Sequence, residues 1–369
     1  MANPKERARL RHHPALKRLG QRSGRGLRHF TDRLLDLLVP TPPPRPLPAV
    51  DTVKRVLLVR SNFRLGNALL ATPLVGALQR IWPQARIDVL ATDATADIFS
   101  RLPEIGKIHQ LSRRFVARPL GAFRLLRELR GERYDLAIEG GMGSFSGGLA
   151  SSLSGAGLRV GADGRNRRFL DVPLKAIEVR HAYDWVPELA RQLGGHALDR
   201  PTFPLHPAEI ADARQCLSGF GLLEPSGEPM PYAVAFVGGH LKKRWPIERW
   251  REVFAQVAAD LPILVALGPE EAHLAAGIAG PGTAGRLHVL PPGTIGRLGA
   301  LFASAQVVAT TDSGPLHLAA GVGARIVAVV SAAASERYLP RGPGDIVLRS
   351  PKPVEVAEAL CERFAATRD

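Results

Sequence analysis

The chain has 369 residues, 45% of them hydrophobic, and a formal net charge of +15. That length allows two domains of ordinary size with sizeable cores. Two widely separated cysteines, Cys216 and Cys361, argue against a disulfide framework or a thiolate metal site, and no apolar run reaches the length of a spanning helix.

Residues 1–50 hold eleven Lys/Arg against three Asp/Glu, more than half of the net excess. Such a balance suits an anionic partner, either nucleic acid or an acidic membrane surface. Phe30 is the one aromatic residue there, so base stacking is poorly provided for. Leu34, Leu35, Leu37, Leu38 and Val39 follow the basic stretch and suit peripheral membrane contact. A solvated, disordered extension fits the same composition. The basic start has no apolar signal core, which places the expected protein in the cytoplasm. Thr41 to Pro48 reads as a stiff proline linker, with the fold beginning after it.

Val56-Leu57-Leu58-Val59, within Arg55–Arg60, is a continuous apolar run and reads as a buried parallel strand. Helical spacing over Gly66–Ile81 follows. Then come a strand at Arg86–Ala91, a short helix within Asp93–Arg101, an amphipathic basic helix over Leu120–Arg130 and a strand at Tyr134–Ile138. Gly140 to about Pro207 reads as loop-rich, with a loose glycine loop (Gly141, Gly143, Gly147, Gly148) and a basic cluster (Arg165, Arg167, Arg168). The glycine spacing departs from a dinucleotide fingerprint. Alternation then restarts: strands at Tyr232–Val237, Ile263–Leu267, Leu287–Leu290, Gln306–Thr310 and Arg325–Val330. Helices are expected at Pro246–Ala259, Glu270–Ala279, Thr294–Ser304, from Pro315, and at Val354–Ala366. This pattern predicts an α/β chain with two doubly wound, Rossmann-like halves, 51–207 and 208–369, facing a cleft. Trp82, Trp185, Trp245 and Trp250 are read as packing residues.

Thr310 to Gly323 carries the densest chemistry. A buried strand meets Asp312-Ser313-Gly314, and Pro315 opens a helix, where its missing N–H costs nothing. Asp312 or Ser313 is positioned to cap that helix. Its N-terminus is a ready site for phosphate, and His317 on the first turn could add a hydrogen bond. An ordinary capped βα turn has the same sequence. Gly238-Gly239 follows another strand and leads into Lys242, Lys243 and Arg244. This combination suits backbone approach to a phosphate, or simply a turn with a solvated basic edge. Glu270 and Glu271 follow a third strand, where a carboxylate could accept hydrogen bonds from ribose or serve the helix dipole. No P-loop, Gly-x-Ser-x-Gly elbow or metal-ligand histidine spacing occurs.

Three segments carry a resemblance. Asp312-Ser313-Gly314-Pro315-Leu316-His317-Leu318-Ala319-Ala320, Lys243-Arg244-Trp245-Pro246-Ile247-Glu248-Arg249-Trp250 and Arg64-Leu65-Gly66-Asn67 through Pro73 resemble the motifs of glycosyltransferase family 9, the heptosyltransferases of lipopolysaccharide core synthesis. The resemblance implies a GT-B fold and inverting transfer from a nucleotide sugar, with ADP-heptose the donor. The acceptor would be a lipopolysaccharide core intermediate, an anionic glycolipid, at the inner face of the cytoplasmic membrane. Gly238, Gly239, Lys243, Asp312, Ser313, Gly314 and His317 would hold the donor diphosphate, and Glu270 or Glu271 the ribose. The family often has hydroxyl residues where this chain has Gly238 and Gly239. Arg64 and Gly66 would face the acceptor.

Asn67 stands where the family has an aspartate base, and a carboxamide cannot take that proton. Either another carboxylate acts (Asp93, Asp97 and Glu139 are the candidates), or transfer proceeds without a strong base, or the chain binds a nucleotide sugar without transferring it. No cofactor is required by this reading; Mg2+ is allowed but not indicated. Nucleic acid is the rival partner that charge alone would suggest, and the reading excludes it.

Overall fold

The computed structural model describes residues 40–112, 119–239, 243–257, 261–268, 271–278 and 285–365. The basic tail and its leucine cluster lie outside them, as do Lys242 and Glu270.

Two six-stranded parallel sheets form the frame. The first contains β1 (Arg55–Arg60), β2 (Arg86–Thr92), β3 (Ile105–Leu111), β4 (Leu136–Glu139), β5 (Leu158–Ala162) and β6 (Val172–Leu174), in the order β3-β2-β1-β4-β5-β6. The second contains β7 (Ala233–Phe236), β8 (Ile263–Ala266), β9 (Leu287–Val289), β10 (Val307–Thr311), β11 (Ile326–Val330) and β12 (Ile346–Arg349), in the order β12-β11-β10-β7-β8-β9. Each sheet winds outward from its first strand, then crosses back to the other side of it. The reversals fall between β1 and β4, and between β7 and β10. Ligand crevices open at such reversals. In β1, Val56 and Leu58 enter one core cluster while Leu57 and Val59 enter another, so both faces of the strand are covered.

The predicted helix at Gly66–Ile81 is two: α1 (Leu65–Leu69) and α2 (Thr72–Ile81). Pro73 sits in the first turn of α2, where its ring would clash with the Leu69 carbonyl in a continuous helix. The Thr72 hydroxyl donates to that carbonyl instead, at 2.7 Å. The next helices are α3 (Ala96–Ser100) and α4 (Pro119–Gly131).

The expectation of a loop-rich middle is corrected. Residues 140–207 contain α5 (Phe145–Leu153), β5, β6 and α6 (Trp185–Gln192). Gly and Ser make α5 a weak helix former, but Ser144 caps it by accepting from the Gly147 N–H at 3.0 Å. The proline stretch is no free spacer either: the Arg45 N–H donates to the Asp171 carbonyl at 2.8 Å.

The second half supplies α7 (Pro207–Gly219), α8 (Ile247–Gln256), α9 (Ile295–Ser304), α10 (Gly314–Gly321) and α11 (Pro353–Ala365). After β8 the described residues form a short 3-10 helix, Ala272–Gly277, in place of the expected α-helix. All four tryptophans are buried, and Trp245 meets Trp250 edge-on at 5.2 Å.

The two halves are joined by packing and by polar contacts. One core cluster includes residues of both, from Leu58 and Leu74 to Leu316 and Ala328. Helix α1 lies against α10 so closely that a Cβ on Gly66 would stand 2.7 Å from His317 Cδ2. The Phe203 N–H donates to the Gly321 carbonyl at 2.9 Å. Arg101, at the end of α3, donates to both carboxylate oxygens of Glu209 on α7, each at 2.6 Å. Its side chain is 3% exposed, so removing it strands a carboxylate in a poorly hydrated place. Arg101→Met should therefore cost about 3 kcal/mol, read as a lower midpoint in guanidinium chloride. An unchanged midpoint would show that the pair contributes nothing.

Candidate active site

Strands β7 and β10 are neighbours, so the turns that follow them lie side by side. The Thr311 hydroxyl donates to the Gly238 carbonyl at 2.9 Å and ties the two turns together. Gly239 has φ +115°, which only glycine adopts without strain, and it faces Ser313. Lys243 forms an ion pair with the buried Asp312, and its ammonium lies 5.1 Å from the centre of the Tyr338 ring. Ser313 occupies the cap position of α10, but its hydroxyl donates to the Thr311 carbonyl at 3.2 Å. The side-chain cap expected from Asp312 or Ser313 is not made. The first turn of α10 therefore has no side-chain cap; Pro315 carries no N–H, and the Leu316 N–H donates to the Ser313 carbonyl at 3.2 Å.

Beside these turns, Arg244 pairs with the buried Glu271 and also donates to the Gly239 carbonyl, at 3.2 and 3.3 Å. Glu271 lies against Gly238. Lys243 and Arg244 therefore each have a carboxylate partner.

His317 is buried, and its Nδ1 lies 3.2 Å from the Tyr183 hydroxyl. Tyr183 belongs to the 3-10 turn Ala182–Asp184 that precedes α6, in the first half of the chain. Burial lowers the imidazole pKa to about 4, with Asp312 opposing. The ring is therefore neutral near pH 7. Burial also pushes the Tyr183 hydroxyl above its ordinary range, so it keeps its proton. The protonated Tyr183 hydroxyl can donate to Nδ1, which leaves the ring proton on Nε2, or accept from Nδ1–H in the other tautomer.

Across the cleft, the reversal between β1 and β4 holds a cavity of about 760 Å³. Arg60, Arg64, Asn67, Glu139, Trp185 and Tyr338 all line it. Arg60 ends β1 and is buried. It donates to the Asn67 carbonyl at 2.8 Å and to the Gly140 carbonyl, with its guanidinium 5.2 Å from the Trp185 ring centre. Burial lowers its pKa to about 10, opposed by Glu139. Glu139 ends β4. Burial raises its carboxyl pKa, against Arg60 and hydrogen bonds donated by Ser144 Oγ at 3.2 Å and the Gly143 N–H at 3.3 Å.

Of the three alternative bases, Glu139 alone lines this cavity among the described residues. Asp97 is bonded to Arg101 at 2.8 Å. Gly66 abuts His317 and is not part of the cavity wall. Tyr338 joins the two regions, since its ring lines the cavity and also lies below Lys243. Tyr183 and Tyr338 escaped the sequence reading because nothing local marks them, and Trp185 is read there only as a packing residue. Arg60 did carry a signal: a charge closing a fully apolar strand.

The model of glycosyltransferase family 9 (heptosyltransferase) matches residues 122–358. The chain belongs to glycosyltransferase family 9. It is similar to lipopolysaccharide heptosyltransferase 3 of Escherichia coli, with 24% identity over 286 residues, covering 72% of this chain and 81% of that protein. Its fold matches a family 9 glycosyl transferase from Veillonella parvula at a TM-score of 0.74 and 19% identity, over 85% of this chain and 98% of that one. It matches E. coli heptosyltransferase WaaC with ADP at 0.67 and 22%, over 85% and 100%. The chain is a glycosyltransferase of the heptosyltransferase family, and the paired sheets are its GT-B lobes. Among the described residues, no group of three or more His, Cys, Asp or Glu side chains could hold a metal ion. No helix there is long and apolar enough to cross a membrane.

His317 has a depressed folded-state pKa, so the unfolded chain binds more protons between about pH 4 and 6.5. Stability from this group is complete above that window and falls as the pH drops through it. Between about pH 7.5 and pH 5 the loss should be about 2 kcal/mol. His109, His181 and His288 are depressed too and act in the same direction. The comparison is therefore with His317→Gln, whose denaturation midpoint should fall less on acidification. Equal slopes would contradict a buried neutral imidazole.

Proposed function

We propose that the enzyme transfers heptose from ADP-heptose to an anionic lipopolysaccharide core acceptor, with inversion at the sugar carbon. The observation that carries this reading is the meeting of the two crevices at Tyr338. One side has the chemistry of a diphosphate site, the other that of a hydroxyl acceptor site. The relatives' names support the donor, since WaaC is described with ADP and the curated relative is a lipopolysaccharide heptosyltransferase.

In this reading the diphosphate rests on the N-terminus of α10 at Gly314 and on the backbone at Gly238 and Gly239. Lys243 supplies charge, and Asp312 aims that lysine rather than touching phosphate itself. Ser313 adds its hydroxyl once that O–H turns from the Thr311 carbonyl to the phosphate. His317 donates from Nε2 as a neutral imidazole, and Glu271 reaches the ribose. Charge growing on departing ADP meets dipoles and a cation already in place. Transfer then needs no resident metal and continues in the presence of a chelator.

On the other side, Asn67 orients the acceptor hydroxyl and Arg64 holds an anionic group of the acceptor. Glu139 accepts the proton as the hydroxyl oxygen attacks the anomeric carbon and the bond to ADP breaks. A carboxyl raised by burial is a better base than an exposed one. The basic tail and the exposed Leu120 and Phe123 of α4 hold the enzyme at the inner membrane face.

Purified protein should transfer heptose from ADP-heptose to a core acceptor. Lys243→Ala should weaken ADP affinity about 10- to 100-fold, the loss of one charge-assisted contact, by isothermal titration. Glu139→Gln should lower kcat by about 10²–10⁴ with ADP affinity unchanged, whereas Asn67→Asp should change kcat less than about tenfold. A hundredfold gain in Asn67→Asp would mean that no base serves the natural chain. ADP binding without any transfer would mark a donor-binding relative that lacks activity.

A further inference from the structure

The two lobes have equal strand number and the same strand order, so each serves as a control for the other. Their outward faces are filled very differently. Among the described residues, the cluster that α8 and α11 form on the second sheet holds 21 buried hydrophobic residues. The corresponding cluster on the first sheet, under α4, holds seven. Beside the smaller cluster lies the 760 Å³ cavity. Leu125 and Leu129 of α4, Leu149 and Leu153 of α5, and the strand-end residues Leu90 and Leu111 wall it. A water in such a place lacks the two to four polar partners it needs. A volume of this size falls within the range of small-molecule sites, about 300–1,000 Å³. The same cavity is continuous with Arg60, Arg64, Asn67 and Glu139, and the Arg64 guanidinium has no acidic partner among the described residues. One continuous space therefore offers leucine walls and a cationic, hydrogen-bonding mouth.

We propose that the leucine-walled part of this cavity binds an aliphatic chain of the acceptor, so that the substrate is an amphiphile read by its chain as well as its sugar. This rests on the glycolipid-acceptor reading above and deepens it. The occupant is a single alkyl chain attached to an anionic head. The head lies toward Arg64, and the chain runs between α4 and α5. The apolar side chains that α4 leaves exposed, Leu120 and Phe123, give such a chain a route from a membrane surface.

The test has a binding arm and a transfer arm, both on the full chain. In the first, cis-parinaric acid is titrated and then displaced by n-alkyl phosphates of about six to twelve carbons, below their micelle concentrations. Affinity should rise about three- to fourfold for each added methylene. It should fall at least about tenfold in Ala150→Trp and in Leu126→Trp, two substitutions that fill the cavity from opposite helices. Thermal protection by ADP verifies that each variant is folded. Affinity independent of chain length, or displacement by inorganic phosphate at the same concentrations, would overturn the chain site. In the transfer arm, kcat/KM for an acylated acceptor is divided by that for its deacylated counterpart. The ratio should be at least about ten in the natural chain and fall toward one in both variants. A natural enzyme indifferent to acylation would sink the chain site and leave the transferase reading intact. Chain binding with transfer to neither acceptor would uphold the site and sink that reading.

Discussion

Each sheet reverses its winding between two neighbouring central strands, and both crevices of the enzyme exist because of that reversal. A helix that follows β7 must leave on one side and a helix that follows β10 on the other. Between them the carboxyl ends of the strands stay uncovered. The chain uses the opening in the second lobe for two short turns tied by a single hydrogen bond, from the Thr311 hydroxyl to Gly238. It uses the opening in the first lobe for Asn67, Arg60 and Glu139. Contact between α1 and α10, tight enough to require Gly66, then sets the distance between the openings.

The electrostatics of the cleft favour pre-organisation over raw charge. Lys243 and Arg244 each have a buried carboxylate partner, Asp312 and Glu271. Such pairs give up part of their net attraction for an anion, but hold the cations in a fixed place before the ligand arrives. His317 follows the same logic. Burial keeps it uncharged, and the Tyr183 hydroxyl from the opposite lobe holds its Nδ1 edge at 3.2 Å. A neutral donor of fixed direction can stabilise a developing negative charge without the cost of burying a cation. Because Tyr183 and His317 belong to different lobes, their contact exists only when the lobes are together.

Much of the frame was legible in the sequence, because central parallel strands are apolar on both faces. Arg55–Arg60 and Ile326–Val330 could be read at once for that reason. The edge strands β3 and β12 could not, since exposure admits Lys107, Gln110 and Arg349 into their pattern. Helix α5 was hidden by glycine and serine, and its existence depends on a cap and on packing against Glu139, neither of which is periodic. The two turns were legible because Gly238-Gly239 after an apolar run marks a turn, and Gly314-Pro315 marks a helix start. The Tyr183, Tyr338 and Trp185 contributions were not, because they come from chain segments brought to the site only by the tertiary fold. The glycines also have reasons the sequence could not supply: Gly66 makes room for an imidazole from the other lobe.

We propose that the turn after β7 and the start of α10 together hold one diphosphate. A crystal structure of the complex with ADP tests it most directly. Both phosphates should lie within hydrogen-bond distance of the Gly314 end of α10 and of the Lys243 ammonium, with the Asp312 carboxylate behind that lysine and away from the anion. A nucleotide seated elsewhere in the cleft, or held by the first lobe alone, would contradict it.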